Sequence, residues 1–511
     1  MRKLTLTALL LVTACKVGPD FESVKLDLPA SWNVARNEST PAPAPAPIPL
    51  DWWKSFNDPT LTALEEEGQR ANDDIALAAA RVAEARGVLR ITESNLYPSL
   101  VVQGNATRTG VSAERNFGGI GRIAPKPYND FGLAAVLDYE LDLWGRIRRA
   151  TEADRALLLA EKANADAVRL AVASDIATGY FNLLALDAQI HITEQTIQSR
   201  RGSVGYQSKQ FEVGVIDSLT LRQAEAELAV AEAVLPSLQQ AQLEQHHALS
   251  ILLGRSPDAI LNQSIAREAG IDTLPTPPVM PTDAPSTLLE RRPDIFYSEQ
   301  QLVAANAQIG VAYADYFPRF SLSALLGLNS SETNRLFRES AKNWNFGANF
   351  VGPVIDSGTI AGNVDAARAR TDQARANYRQ TVRLAFTDVS NALTAIQTNQ
   401  ARLEAQTRQV KARADTMRVS GLRYEAGYST HLELLDAQRF LYQAQLDRIE
   451  AMRDCLSATV TLYKALGGGW NPQPLAKNSA PLANTPATAP ATPPDMASKP
   501  LPETLPFAHR T

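Results

Sequence analysis

The most restrictive feature of this sequence is a proline-free stretch from Gly145 to Glu212, in which small and apolar residues recur with helical spacing. A continuous helix of about 68 residues would be on the order of 100 Å long, far longer than the core of a globular domain. A second stretch, 358–423, predicts a helix of similar length. Shorter helices are predicted at 61–96, 218–253, 285–316 and 431–466. We expect two short helices to pack end to end beside each long one, as in a coiled coil.

The apolar seam of that packing is visible in the last predicted helix. Leucine and alanine recur at steps of three and four residues, at Leu434, Ala437, Leu441 and Ala444. The same register reaches Cys455, which we therefore expect to be a packed thiol.

The chain also contains an internal duplication. Tyr97-Pro98-Ser99-Leu100 corresponds to Phe317-Pro318-Arg319-Phe320, and Phe211-Glu212-Val213-Gly214 corresponds to Tyr424-Glu425-Ala426-Gly427. Each half predicts the order helix, strand, strand, long helix, turn and shorter helix. We assign a first repeat to 61–254, an inter-repeat linker to 255–284 and a second repeat to 285–467.

Four segments alternate apolar and polar or small residues, which is the pattern of a strand with two different faces. They are 99–110, 129–143, 319–329 and 344–354. Their lengths suit a membrane wall with lipid on one side and water on the other, although a half-buried strand in a soluble sheet has the same pattern.

Four strands cannot close a barrel, and an open edge in lipid leaves backbone groups without partners. A membrane wall would therefore require several copies of the chain. Two copies give about 8 strands and a filled interior, whereas three give about 12 strands and a lumen.

The N-terminus predicts export and lipid anchoring. Arg2 and Lys3 precede an apolar run too short to span a bilayer, so we interpret residues 1–14 as a signal peptide. The small residues before Cys15 resemble a bacterial lipobox, in which Cys15 would carry covalent diacylglycerol and N-acyl lipid. Lys16 rather than Asp follows, which favours the outer membrane. Residues 15–60 then form a lipid-anchored extended segment, and the Pro/Ala-rich end, 468–511, predicts a disordered tail.

Several functional classes lack support in the sequence. The net charge of −5 offers no basic field for nucleic acid. No phosphate-binding glycine loop, nucleophile elbow or clustered metal-ligand motif is present. The adjacent His246 and His247 would diverge on a helix and make a poor metal pair. We predict no enzyme activity, no cofactor beyond the lipid on Cys15, and no metal site.

Several motifs, in the same order, resemble the outer-membrane factors of the TolC, OprM and NodT type. They are Cys15-Lys16-Val17-Gly18-Pro19-Asp20-Phe21, Trp52-Trp53-Lys54-Ser55-Phe56-Asn57-Asp58-Pro59, Arg81-Val82-Ala83-Glu84-Ala85-Arg86 and Arg291-Arg292-Pro293-Asp294-Ile295. The resemblance covers about residues 15–470. It implies a mixed α+β, mainly α fold: a homotrimer with a 12-stranded outer-membrane β-barrel, four strands per chain, continued by a periplasmic α-helical coiled-coil tunnel with a two-fold internal repeat.

The same resemblance suggests where function lies. The two helix turns, which we name the first tip (211–215) and the second tip (424–428), would dock a periplasmic adaptor. The docking residues would be Val213, Gly214, Val215, Ala426, Gly427 and Tyr428. A plainer interpretation is that Gly214 and Gly427 only cap helices.

Beyond the second tip, the resemblance implies a periplasmic gate. Leu432 and Asp436 would form constriction rings, with Glu433, Tyr424 and Arg439 in the closing network. Thr220 stands where related tips often carry Asp, which puts the lock between the helices in question. The alternative is an ordinary solvated helix face.

The resemblance thus implies a passive, gated outer-membrane conduit in a tripartite, RND-type efflux system that exports drugs or other small toxic compounds. Its partners would be a periplasmic adaptor (membrane fusion protein) and an inner-membrane efflux pump. The alternatives are the channel of a type I protein secretion system, a free-standing porin, and a soluble coiled-coil scaffold.

Overall fold

A computed structural model describes residues 16–29, 32, 48–110, 127–267, 270–275 and 287–470. All of them belong to one compact unit that ends at Asn471. The predicted signal peptide, the lipid site at Cys15, most of the Pro/Ala stretch at 41–49 and nearly all of the C-terminal tail lie outside the described residues.

The described residues form long helices and one sheet, with the same order of elements in both halves. The first half contains α1 (Pro59–Ala71), α2 (Asp73–Ser94), β1 (Ser99–Thr109), β2 (Tyr128–Leu141), α3 (Arg146–Glu212) and α4 (Ser218–Leu252). A short helix, α5 (Pro257–Asn262), follows. The second half contains α6 (Leu288–Arg291), α7 (Pro293–Ala314), β3 (Arg319–Ser330), β4 (Lys342–Val351), α8 (Thr359–Glu425) and α9 (His431–Ala465). Short 3₁₀ turns occur at Trp52–Phe56, Ile271–Thr273, Thr333–Arg335 and Glu339–Ala341.

The long helices agree with the prediction, and the two halves have matching lengths. Both α3 and α8 have 67 residues, and both α4 and α9 have 35. The helix α3 contacts α2 and α4, and α8 contacts α7 and α9, so two shorter helices do pack beside each long one. The two halves meet where α3 packs against α7 and α9.

The first helix of each half is not continuous, contrary to the prediction. Asn72 separates α1 from α2, because its side-chain oxygen accepts the amides of Asp74 at 2.9 Å and Ile75 at 3.1 Å and so caps a new helix. In the second half Arg292 is extended, since a residue before proline avoids the helical region, and α7 begins at Pro293.

The four strands form one antiparallel sheet in the order β1-β2-β3-β4. Residues paired across strands lie on the same face. One face carries two apolar rows, Val102–Ala135–Leu326–Trp344 and Leu100–Leu137–Ala324–Phe346. The other face carries small and polar rows such as Ser99–Asp138–Ser323–Gly347. The predicted two-faced strands are therefore present, and within the described residues β1 and β4 each have one unpaired edge.

The largest cluster of buried apolar residues in the described part of the chain lies around the turn at Trp52–Phe56, between α3 and α9. Trp52 stacks on Tyr463 with ring centroids 5.2 Å apart, and Phe56 packs on Phe181 at 5.0 Å. Cys455 is also buried, as predicted, and burial raises the pKa of its thiol to about 11. None of the described helices combines the length and the apolar composition needed to cross a bilayer.

Candidate functional site

The two tips are built in the same way. In the first, the Gly214 amide donates to the Phe211 carbonyl at 2.9 Å and the Val215 amide donates to Gln210 at 2.8 Å. In the second, Gly427 donates to Tyr424 at 3.0 Å and Tyr428 to Arg423 at 2.8 Å. This is the Schellman motif, and both glycines have the positive φ that it requires, 75° and 76°. Each tip is therefore a fixed reversal between two helices.

The tips also present apolar side chains to solvent. Val213 is 75% exposed, Val215 68% and Tyr428 79%. Gly214, Ala426 and Gly427 are exposed as well. Helix capping explains the two glycines, because the cap requires a positive φ. It does not explain the large apolar side chains, because they take no part in the backbone hydrogen bonds of the cap. A cluster of this kind is typical of a surface that binds another protein.

Four of the predicted gate residues lie on the first turns of α9: Leu432, Glu433, Asp436 and Arg439. Tyr424 lies at the end of α8, and Thr220 lies on α4. Leu432 is 50% exposed and Glu433 is also exposed, so both present side-chain surface to solvent in the isolated chain. Asp436 accepts a hydrogen bond from Arg439 at 2.8 Å, and Arg439 also lies 3.8 Å from Glu227 on α4. Arg439 therefore joins α9 in the second half to α4 in the first half.

Glu227 in turn contacts a buried arginine, so the charged residues form a continuous series. Glu227 lies 3.2 Å from the guanidinium of Arg200 on α3, and Arg200 also donates to the Glu227 backbone carbonyl. Arg200 is buried, and burial lowers the pKa of its guanidinium, while the charge of Glu227 opposes that shift. We name Arg200, Glu227, Arg439 and Asp436 the charge chain.

A second set of contacts connects α3 to the second tip. The side-chain amide of Gln207 donates to the Tyr424 hydroxyl at 2.9 Å and lies 3.3 Å from His431 Nδ1. The rings of Tyr424 and His431 are 5.3 Å apart. His431 is buried, and loss of hydration lowers the pKa of its imidazole. We name Gln207, Tyr424 and His431 the latch.

Thr220, by contrast, bonds only locally among the described residues. Its backbone amide and its hydroxyl both donate to Asp217, at 2.9 and 2.7 Å, which caps the start of α4. Those hydrogen bonds lower the pKa of the Asp217 carboxyl. Among the described residues the side chain of Thr220 forms no hydrogen bond to the second half, whereas that of Gln207 does.

The sequence singled out Tyr424, Asp436 and Arg439, which do contact other elements or each other. Within the described residues Glu433 forms no ion pair with them. Arg200, Gln207, Glu227 and His431 were not predicted. One signal was available, since Glu227 lies one heptad after Thr220 on the same helix face. For Gln207 and His431 the sequence offers no comparable signal.

A metal site has no support in the described part of the chain, where no group of three potential ligands is found. The rings of His246 and His247 lie edge to face at 5.9 Å. Burial lowers the pKa of His246. The pair is a packing contact between neighbouring helix residues.

Comparison with known proteins gives the family. Residues 66–255 and 284–468 match the family described as outer membrane efflux protein. The probable efflux pump outer membrane protein TtgC of Pseudomonas putida is 31% identical over 484 residues, which cover 94% of this chain and 98% of TtgC. The cation efflux system protein CusC of Escherichia coli is 30% identical over 461 residues, covering 90% and 97%. The CmeC outer membrane channel of Campylobacter jejuni has a similar structure, with a TM-score of 0.82 at 25% identity over 89% of this chain and 96% of CmeC.

The family match covers most of both predicted repeats, and TtgC aligns over nearly its whole length. The resemblance to outer-membrane factors and the predicted outer-membrane location are therefore confirmed. The chain belongs to the outer membrane efflux protein family.

Proposed function

We propose that this chain is the outer-membrane channel of a tripartite, RND-type efflux system, and that it is a passive, gated conduit for drugs or other small toxic compounds. The observation that carries the proposal is its nearly full-length similarity to TtgC, which is named as a probable efflux pump outer membrane protein. A conduit of this kind needs no catalytic group, so the pump supplies the energy and most of the substrate selection.

The active form is a homotrimer. The described sheet has four strands, one apolar face and an unpaired edge on each side. In lipid the backbone N–H and C=O groups of those two edges would have no hydrogen-bond partners, which is strongly unfavourable. Three copies give about 12 strands, enough to enclose a lumen. Large apolar groups on β4, including Trp344, Phe346 and Phe350, are exposed in the single chain and suit a lipid-facing wall. Acyl groups on Cys15 add a lipid anchor.

The helices continue the barrel as a periplasmic tunnel that closes at the second tip. Leu432 and Asp436 from three copies would surround the axis there, with carboxylates that repel one another and attract cations. The latch and the charge chain hold α9 against α3 and α4, so the tip opens when these contacts separate. The docking of an adaptor on the exposed apolar tips is the event that we expect to separate them.

Co-purification from the native host tests this function. The tagged channel, cross-linked in cells, should bring down a membrane fusion protein and an RND-type pump. Deletion of the gene should raise the accumulation of small toxic compounds. Recovery of an ABC transporter instead, with unchanged accumulation, would overturn the proposal in favour of type I protein secretion. A monomer in the soluble fraction would exclude both.

A further inference from the structure

The five residues that follow Cys15 lie against the start of α3 and the side of α7. The Val17 amide donates to the Trp144 carbonyl at 3.1 Å. Lys16 forms an ion pair with Glu152. The segment therefore follows the wall of the protein from its first described residue.

Two side chains bind the backbone of this segment. Arg149 Nε donates to the Val17 carbonyl at 3.1 Å, and Arg149 Nη2 donates to the Gly18 carbonyl at 3.0 Å. Asn306 donates to the Pro19 carbonyl at 3.1 Å. Three consecutive carbonyls thus each have a side-chain donor, and Arg149 also binds the Asp20 carboxylate at 2.8 Å.

The fit is close as well as polar. Gly18 has a φ of +88°, and a Cβ on it would lie 2.5 Å from the Cα of Gly310. A Cβ on Gly310 would in turn lie 2.8 Å from Arg149 Cγ. The segment, α7 and the Arg149 stem are therefore stacked with no room for added atoms.

Arg149 is only 1% exposed, and a buried guanidinium is tolerated only where acceptors surround it. Its acceptors are the Val17 and Gly18 carbonyls, Asp20 and Glu152. Three of these four belong to the N-terminal segment. Without the segment, Glu152 alone would remain among the described partners.

The slot lies where the strands give way to the helices. Trp144 stacks on Phe317 at 4.6 Å, and its indole donates to the Pro318 carbonyl at 2.8 Å. Tryptophan with an apolar body and a polar edge prefers the interface between lipid and water. Val17, which is bound to the Trp144 carbonyl at this level, follows Cys15 by only two residues in the sequence.

We propose that Arg149 and Asn306 form a binding slot for the chain's own segment 17–20, which holds the acylated Cys15 at the junction of sheet and helices. The segment that carries the lipid anchor is then bound to the folded protein and is not a flexible linker. The placing of the acyl chains rests on the proposed lipidation, whereas the slot itself does not.

A nitroxide on Pro19→Cys tests the slot in the purified, full-length protein, because Pro19 is exposed and the slot uses only its backbone carbonyl. The other described cysteine, Cys455, is buried and should stay unlabelled. The spectrum should be that of an immobilised label. Arg149→Met should convert most of the signal to a mobile component. Arg155→Met is the matched control, since Arg155 lies on the same helix but pairs with Glu93.

A second variant, on the segment itself, controls for misfolding of Arg149→Met. Gly18→Ala leaves α3 and α7 unchanged but cannot enter the slot, and it should mobilise the label as Arg149→Met does. A mobile label in the wild-type background, or an immobile one in both variants, would overturn the slot. The intact mass reports Cys15 separately: absence of acyl groups would refute the anchor, and the spectra would then be repeated on Cys15→Ser to judge the slot alone.

Discussion

Gln207 on α3 donates a hydrogen bond to the hydroxyl of Tyr424, 217 positions further along the chain, at 2.9 Å. The amide of Gln207 has two hydrogens, and the second faces Nδ1 of His431 at 3.3 Å. One side chain of the first half therefore contacts both sides of the second tip. This arrangement makes the latch the most specific contact between the halves near the proposed gate.

Replacing Gln207 by Leu should loosen the second tip. The variant leaves Tyr424 and His431 without their donor, and a buried polar group without a partner costs about 1–3 kcal/mol. Cells that carry it should become several-fold more sensitive to a large hydrophilic antibiotic that the outer membrane normally excludes. The minimum inhibitory concentration measures the leak.

Gln210→Leu is the matched control for that experiment. Gln210 lies on the same helix and donates to Tyr206 on that helix at 2.8 Å, so its loss should leave sensitivity unchanged. Equal sensitivity of the two variants would contradict the prediction that the latch keeps the second tip closed.

The latch should weaken in acid because of His431. Its pKa is lowered by burial, so the closed tip favours the neutral ring. The stability that this ring contributes is complete above the ordinary histidine pKa of about 6.5 and is lost as the pH falls through the lowered value. Protonation of Nδ1 also removes the acceptor that faces Gln207.

Dye influx into liposomes that contain the channel should therefore rise between pH 7.5 and pH 5. In His431→Phe, which keeps the ring beside Tyr424 but cannot titrate, that rise should be absent. An identical pH profile in the two proteins would assign the effect to other groups.

The apolar tips should be required for adaptor binding. Val215→Asp and Tyr428→Asp each place a charge on an exposed apolar residue and should reduce cross-linking to the adaptor at least tenfold, while folding is unaffected. Leu261→Asp is the control, because Leu261 is 75% exposed but lies on α5, outside both tips. Undiminished cross-linking in both tip variants would contradict adaptor docking at the tips and would favour the interpretation that their glycines only cap helices.

Glu65 on α1 should limit stability. It is fully buried, neither carboxyl oxygen has a hydrogen-bond partner among the described residues, and burial raises its pKa well above the usual range. The folded state keeps the proton on the Glu65 carboxyl. The stability that Glu65 contributes is therefore complete below the unfolded-state pKa of about 4.3 and is lost as the pH rises through the folded-state pKa. Glu65→Leu should stabilise the protein by about 1–3 kcal/mol at pH 8.

Thermal unfolding in detergent at pH 5 and pH 8 measures this effect. The Tm difference between the two pH values should be smaller in Glu65→Gln, which keeps the shape without a titrating group. A pH dependence equal to that of the wild type would mean that Glu65 finds a partner.

Local pattern was enough to predict the long helices and all four strands, because periodicities of 3.6 and 2 residues depend only on neighbours in the chain. The breaks at Asn72 and Arg292 were also local and were missed, although Asn72 precedes two acidic residues and Arg292 precedes a proline. The latch and the charge chain depend on how α3, α4 and α9 are aligned. Residues as far apart as Gln207 and His431 meet only once that alignment is fixed, so one sequence could not pair them.

The conductance of purified protein in planar bilayers tests the central claim, a channel held closed at the second tip, most directly. Asp436→Ala removes the carboxylate that binds Arg439 and that would line the constriction. The wild type should show a small resting conductance, and Asp436→Ala should show one several-fold larger. Asp447→Ala, which alters a carboxylate whose one hydrogen-bond partner among the described residues is Gln443 of the same helix, should match the wild type. Equal conductance of Asp436→Ala and the wild type would contradict the gate.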